Sequence, residues 1–255
     1  MSDLKLWSSK KKKIIKAQAF NRDLIEELLI KNGEELLGLK VLVTNYSLNK
    51  QNIDLISILA LDEVYQLVIV EYRKGKYNQT IGRGLMQLDY INEHESEFKL
   101  LISDLKLGLE KKVIYKPRLL VIGEDFSEYD LYAIRQLPYP IELIKVQTYE
   151  EGLVILNKQF VSLKTQTFKF NVPAHYHQLF NELCEFIFSL GDEVVGIGFN
   201  NTYTFRKIKA FLRVEFLDTI VLSYQKAGQL VISQVSKRSE LENIYHHLEE
   251  AYNEG

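Results

Sequence analysis

The chain has little of what several functional classes require. Its 255 residues include one cysteine, Cys184, which excludes a disulfide framework and a multi-cysteine metal site. Four prolines and thirteen glycines are too few for a linker-rich or fibrous protein. No apolar run approaches the roughly 18 residues of a membrane span. Neither charge dominates: 32 basic residues face 34 acidic ones, for a net −2. The balance persists on either side of residue 157, at −1 each, so neither half has the bulk basic surface of an electrostatic nucleic-acid binder. The first residues lack an apolar segment with a small-residue cleavage site, so the expectation is a cytoplasmic protein with a reduced thiol and no membrane partner.

What is present is an ordinary globular composition, 46% apolar and 26% charged, with enough chain for one large or two small folded units. One concentration of charge stands out. Residues 1–20 hold six lysines and one aspartate, and Lys10 to Lys13 are consecutive. The run reads either as a solvated turn between two short β-like pieces, Leu4–Trp7 and Ile14–Ala17, or as a phosphate-contacting rim.

A helix is predicted from Asn21–Asp23, with Asp23 and Glu26 in capping-box spacing and Gly33 as its stop. Strands follow at 39–45, 53–61 and 65–73, the last two almost continuously apolar, as strands covered on both faces are. Residues 78–107 read as helix broken near His94–Ser96. A strand at 118–123, a helix at 126–135 and strands at 141–148 and 152–158 complete the first unit. The segment 159–172 carries no strong element and is the expected boundary. Beyond it come a helix at 173–190, a strand series from Val194 to Gln234 and a helix at 239–252. The domain expectation is therefore 1–160 and 161–255, the second a smaller α+β unit.

If Asp62-Glu63 forms a two-residue hairpin loop, Asp54 lies opposite Glu71, with Cβ atoms about 5 Å apart. Arg73, two residues on, projects from the same face. Two carboxylates so close need a cation between them. That cation is either a divalent metal completing its shell with phosphate and water, or an arginine in a plain ion pair.

Ile53-Asp54 followed by Glu71-Tyr72-Arg73-Lys74-Gly75-Lys76 resembles the PD-(D/E)xK nuclease superfamily, nearest its RecB-like and NucS-like branch, over roughly residues 20–125. The resemblance implies a restriction-endonuclease-like α/β core, a mixed central sheet flanked by helices. It implies Asp54 and Glu71 as ligands of Mg²⁺ or Mn²⁺, with Glu27 on the first helix as a further acidic position. Arg73 stands at the family's lysine position, where it can clamp a phosphate but cannot act as a base. Asn45 stands where related sequences carry a glutamate. The family's following helix carries Gln-x-x-x-Tyr; here Gln87 and Tyr90 are three residues apart and Met86 holds the four-residue offset, which still leaves Gln87 near the same helical face. The implied function is a metal-dependent DNA endonuclease acting on single-stranded or branched DNA, with Asp54, Glu71, Arg73 and Gln87 as its working residues. The alternative is a nuclease-derived nucleic-acid-binding or protein-interaction module that no longer cuts. A homodimer is compatible with either.

The second unit resembles a domain of unknown function that recurs behind such cores, through Tyr203-Thr204-Phe205-Arg206 and Lys209-Ala210-Phe211-Leu212. Its aromatics fit a small-sheet core or a base-stacking surface. His175-x-His177 and His246-His247 lack a third ligand, and Cys184 reads as a core residue.

Overall fold

The computed structural model describes residues 5–48, 55–73, 79–109, 112–163 and 165–254. A short hairpin, β1 (Leu6–Ser8) and β2 (Lys13–Ile15), opens the chain, followed by β3 (Ala17–Gln18). The first helix, α1 (Arg22–Leu37), is capped by Asn21, whose side chain accepts from the Leu24 amide at 3.2 Å. The expected Asp23 cap is thus displaced by two residues. Gly33 does not stop the helix. The stop is Gly38, whose left-handed φ of 63° lets the Gly38 and Leu39 amides donate back to Glu34 and Gly33, a Schellman closure.

The central sheet contains β4 (Lys40–Ser47), β5 (Leu55–Leu61), β6 (Gln66–Arg73), β7 (Ile114–Gly123), β8 (Ile141–Tyr149) and β9 (Val154–Val161). It is mixed: β6, β7 and β8 run parallel, while β4, β5 and β9 are antiparallel to their neighbours. β3 also pairs with β8. Helices α2 (Thr80–Glu93), α3 (Glu95–Asp104) and α4 (Glu128–Arg135) link the parallel strands. Ile69, Leu119, Val121 and Leu143 pack with residues of these three helices on one sheet face. Val68, Val70, Leu120 and Ile122 pack with α1 on the other. Both faces are covered, which is why β6 is buried along its whole length.

β9 ends at Val161, and a second sheet begins at β10 (Thr165–Phe168), inside the stretch expected to lack structure. β10 adds in parallel to β11 (Val195–Phe199), because α5 (His177–Ser189) supplies the crossover. An antiparallel meander continues through β12 (Thr202–Arg206), β13 (Ala210–Phe216), β14 (Ile220–Lys226) and β15 (Gln229–Val235). The final helix is two: α6 (Arg238–Glu242) and α7 (Tyr245–Glu254). Phe180, Tyr203, Phe205 and Phe216 form the aromatic centre of this unit, so the aromatics pack a core. Cys184 packs against that core, where burial, aided by Glu185, pushes its thiol up to about 12. Among the described residues, no helix is long and apolar enough to cross a membrane.

The β5–β6 register differs from expectation. Leu61 pairs with Leu67 and Ile58 with Val70, so Glu71 lies opposite Ser57 and not Asp54. The connection is four residues, Asp62–Tyr65, because Asp62 is a buried turn anchor. Its Oδ1 accepts from the Val64 and Gln66 amides at 3.1 and 2.9 Å. Tyr65 closes the turn with φ at 62°.

The two sheets meet through buried charge. Arg118 donates to Asp62 at 3.2 Å and to Glu142 at 3.1 Å; Glu142 also takes Lys158 at 2.8 Å and Arg206. The Ala210 amide donates to Glu63 at 2.7 Å. Three cations and three carboxylates are sealed together there. Burial and then the Asp62 charge hold the Glu63 carboxyl above its usual range. Burial and then Arg118 pull Lys158 down to about 7.

Candidate functional site

The parallel strands β6 and β7 end at Arg73 and Gly123, and α2 and α4 begin just beyond them. The carboxyl ends of such strands are where open α/β sheets bind ligands. α2 lies close on the sheet because Gly84 faces Leu119: a Cβ at Gly84 would sit 2.4 Å from a Leu119 methyl. That approach carries Arg83 and Gln87, four residues apart on one helical face, over the end of β6.

Glu71 is fully buried, and donors surround it. Its Oε1 accepts from the Ser57 amide at 3.1 Å and from Gln87 Nε2 at 2.9 Å. Its Oε2 accepts from Ser57 Oγ at 2.9 Å and from the Arg83 guanidinium. A carboxylate offers about four lone-pair positions, and all four are taken. Gln87 also donates to the Leu55 carbonyl at 2.9 Å, while its own Oε1 is buried without a partner among the described residues.

Arg73 does share the α2–α4 face of β6 with Glu71, but it is held elsewhere. It pairs with Asp130 at 2.9 Å and lies over the Phe126 ring at 5.6 Å. Burial pushes the Asp130 carboxyl up, but hydrogen bonds from Ser127 and Arg73 outweigh this and hold it below its ordinary range. Arg73 therefore anchors the capped start of α4.

A cleft of about 600 Å³ opens beside this centre, lined by Phe20, Asn21, Arg22, Tyr72, Thr80 and Arg83, with Ala19 and Asp23. The N-terminal ends of α1 and α2 both border it, and such ends favour anions. Arg22 lies over the Tyr72 ring at 5.3 Å, reaches Ser57 Oγ at 3.4 Å and pairs with Glu26 at 3.5 Å. The Tyr72 hydroxyl is buried without a hydrogen-bond partner among the described residues. Arg83 has a side chain 43% exposed, although its carboxylate partner is fully buried. The arrangement can present two planar guanidinium groups to a phosphate.

Of the residues expected from sequence, the structure brings Glu71 and Gln87 together. Asp54 lies outside the described residues, as do Lys74 and Lys76. Glu27 is on the exposed side of α1, paired with Lys31 at 2.5 Å. Asn45 falls opposite Ser57 in the β4–β5 register, with a left-handed φ of 51°, and borders a groove with Arg22 and Glu27. The Tyr90 hydroxyl donates to Glu97 at 3.0 Å and its ring stacks on His94, because α2 turns that face towards α3. His177 bonds the Val172 carbonyl at 2.7 Å, a helix-entry contact. Ser57, Arg83, Arg22 and Tyr72 were not foreseen. For Arg83 a signal existed, its i,i+4 spacing to Gln87. For Ser57 it lay in the true hairpin register.

The resemblance implies a divalent metal at Glu71. The described residues do not fit one as their side chains stand, since Arg83 already provides the positive charge and the carboxylate has no free lone pair. Among the described residues, no three His, Cys, Asp or Glu side chains gather to hold a metal ion.

No family model matches the chain, and no solved structure matches it. An uncharacterised protein of Haemophilus influenzae is 24% identical over 161 residues, which cover 60% of this chain and 52% of the relative. The chain thus matches about half the length of that relative.

Proposed function

We propose that this chain is a nuclease-derived nucleic-acid-binding module with a restriction-endonuclease-like core, in which Arg83 takes the place of a catalytic metal. The observation that carries this reading is the saturation of Glu71 by Ser57, Gln87 and Arg83. The Ile53-Asp54…Glu71 pattern and the Glu71–Gln87 contact support descent from a phosphodiester-processing centre. The replacement of the family lysine by Arg73, and the engagement of Arg73 with Asp130, support the loss of cleavage. The cleft beside Glu71 supplies Arg22 and Arg83 for backbone phosphates.

The test is binding and cleavage of labelled single-stranded, duplex and flap DNA by the full chain. The expected result is salt-sensitive binding that weakens about tenfold in an Arg22→Ala/Arg83→Ala variant, with the DNA left intact. Cleavage in Mg²⁺ or Mn²⁺ that disappears in an Asp54→Ala/Glu71→Ala variant would replace this reading with an active endonuclease. No DNA affinity at low salt would replace it with a protein-interaction or dimerisation role.

A further inference from the structure

The β1–β2 hairpin has a composition that the cleft does not explain. Residues 5–16 contain six lysines and no acidic residue, and all six lysines are exposed. Lys11 pairs with Glu151 at 2.9 Å, and Lys13 reaches Glu150 and Glu151 at 3.7 and 3.4 Å. Those two glutamates fasten the hairpin to the end of β8 and leave a local charge of +4. Lys10 and Lys12 have no ion pair among the described residues, and Lys12 sits in the turn with φ at 49°.

The hairpin is also two-faced. Leu6 pairs with Ile15, which is buried, while Trp7 pairs with Ile14 on the opposite face. Trp7 is 61% exposed and Ile14 is 53% exposed. Cross-strand packing on Ile14 accounts for an apolar residue there, but it leaves a large aromatic surface in water in the midst of a lysine cluster. Lysines attract a polyanion from any direction, but an exposed aromatic face rewards only an unstacked base. A duplex hides its base faces, so charge and stacking together select a single strand.

We infer that the β1–β2 hairpin is a binding arm for single-stranded nucleic acid, with Lys10 and Lys12 on the phosphates and a base stacked on Trp7. This deepens the nucleic-acid reading above by naming the strand state of the ligand. The arm leads through β3 to Phe20 and Arg22 on the cleft wall. A strand held on the arm is thereby tethered near the Arg22–Arg83 cleft.

Trp7 is the chain's one tryptophan, so tryptophan emission, excited selectively over the fifteen tyrosines, reports on this site alone. The full chain is titrated at low salt with oligothymidylate, oligouridylate, a duplex of equal length and anionic phosphatidylglycerol vesicles. The expected result is saturable quenching by the two single strands, with at most weak quenching by the duplex. Anisotropy of labelled oligothymidylate then reads the variants. Trp7→Ala is expected to weaken binding about tenfold, while Trp7→Phe retains most of it. Lys10→Glu/Lys12→Glu weakens binding more at low salt than at high salt.

Three results would overturn the inference. One is wild-type tryptophan fluorescence that does not change on titration with the single strands, together with unchanged affinity in Trp7→Ala. Another is a duplex that quenches as strongly as the single strands. The third is a blue shift with vesicles and no response to oligonucleotide, which makes the hairpin a membrane-surface element. Loss of binding in Arg22→Ala/Arg83→Ala, with Trp7→Ala unaffected, would sink the arm and leave the cleft standing. Retained quenching in that double variant keeps the arm even if the cleft reading fails.

Discussion

Glu71 and Glu142 are both buried glutamates that accept from arginine, yet their surroundings differ. Glu142 sits between the two sheets, where Arg118, Lys158 and Arg206 converge on it and each cation is almost fully buried. Glu71 sits at the carboxyl ends of parallel strands, and its arginine reaches in from a half-exposed position beside a cleft. The first cluster closes on itself. The second leaves one cation facing solvent; orphaned polar atoms do not separate the two, since among the described residues Arg206 Nε in the first cluster lacks a partner, as do the Tyr72 hydroxyl and Gln87 Oε1 at the second. Buried ion pairs are weak indicators of function when sealed, because packing and charge balance explain them fully. They become informative when one partner stays accessible.

The sharpest way to break the comparison is to remove each glutamate's role in turn. Glu142→Ala leaves three buried cations without their shared anion. It is expected to cost about 3–5 kcal/mol in a urea unfolding midpoint, with oligonucleotide affinity per folded molecule unchanged. A mild loss would mean the inter-sheet cluster is hydrated and does not clasp the sheets.

The sealed cluster also has a pH signature. Burial and Arg118 pull Lys158 from a usual 10.5 to about 7. Between those values the unfolded chain binds a proton that the folded chain lacks. The Lys158 contribution to stability therefore rises with pH across that window, at most by about 1.4 kcal/mol per pH unit, and is flat below it. Subtracting a Lys158→Met stability curve from the wild-type curve isolates it. A flat difference from pH 7 to 10 would mean that the 2.8 Å pairing with Glu142 keeps Lys158 charged across that window.

At the open cluster the effects are functional. Arg83→Ala is expected to weaken oligonucleotide binding about threefold, less than the double variant with Arg22, with a stability loss of about 1–3 kcal/mol from the buried Glu71 charge left, among the described residues, with Ser57 and Gln87. Binding unaffected by Arg83→Ala would reduce this cluster to a second structural one. At the bottom of the scale, Glu27→Gln should change neither the unfolding midpoint nor binding, since Glu27 meets only an exposed Lys31.

Much of this was legible in the sequence. Unbroken apolar runs marked β5 and β6 as doubly covered strands, the β1–β2 hairpin flanked its lysine run, and Glu71 and Gln87 do meet. Register was not legible. Asp62 looks like an exposed loop residue, but its carboxylate is a buried anchor shared with Arg118, a partner 56 residues away. That contact lengthens the turn and moves Ser57 opposite Glu71. Arg73 was placed on the correct face, yet its partner Asp130 comes from a helix whose packing no local pattern encodes. Gly33 read as a helix stop because local rules favour it; what the position needs is close approach, since a Cβ there would lie 2.7 Å from the Leu39 carbonyl. β10 was missed because four residues with alternating burial give too short a pattern to stand out.

The central claim is that Arg83 does at Glu71 what a metal would do in a nuclease. It is tested most directly by the affinity of the full chain for a labelled single-stranded oligonucleotide, first in excess EDTA and then in Mg²⁺ or Mn²⁺. The expected result is an affinity no higher in the metal than in the chelator, since added cations only compete with Arg22 and Arg83 for phosphate, and an intact oligonucleotide in each. Binding that appears only with the metal, or an oligonucleotide cut when the metal is added, would contradict it.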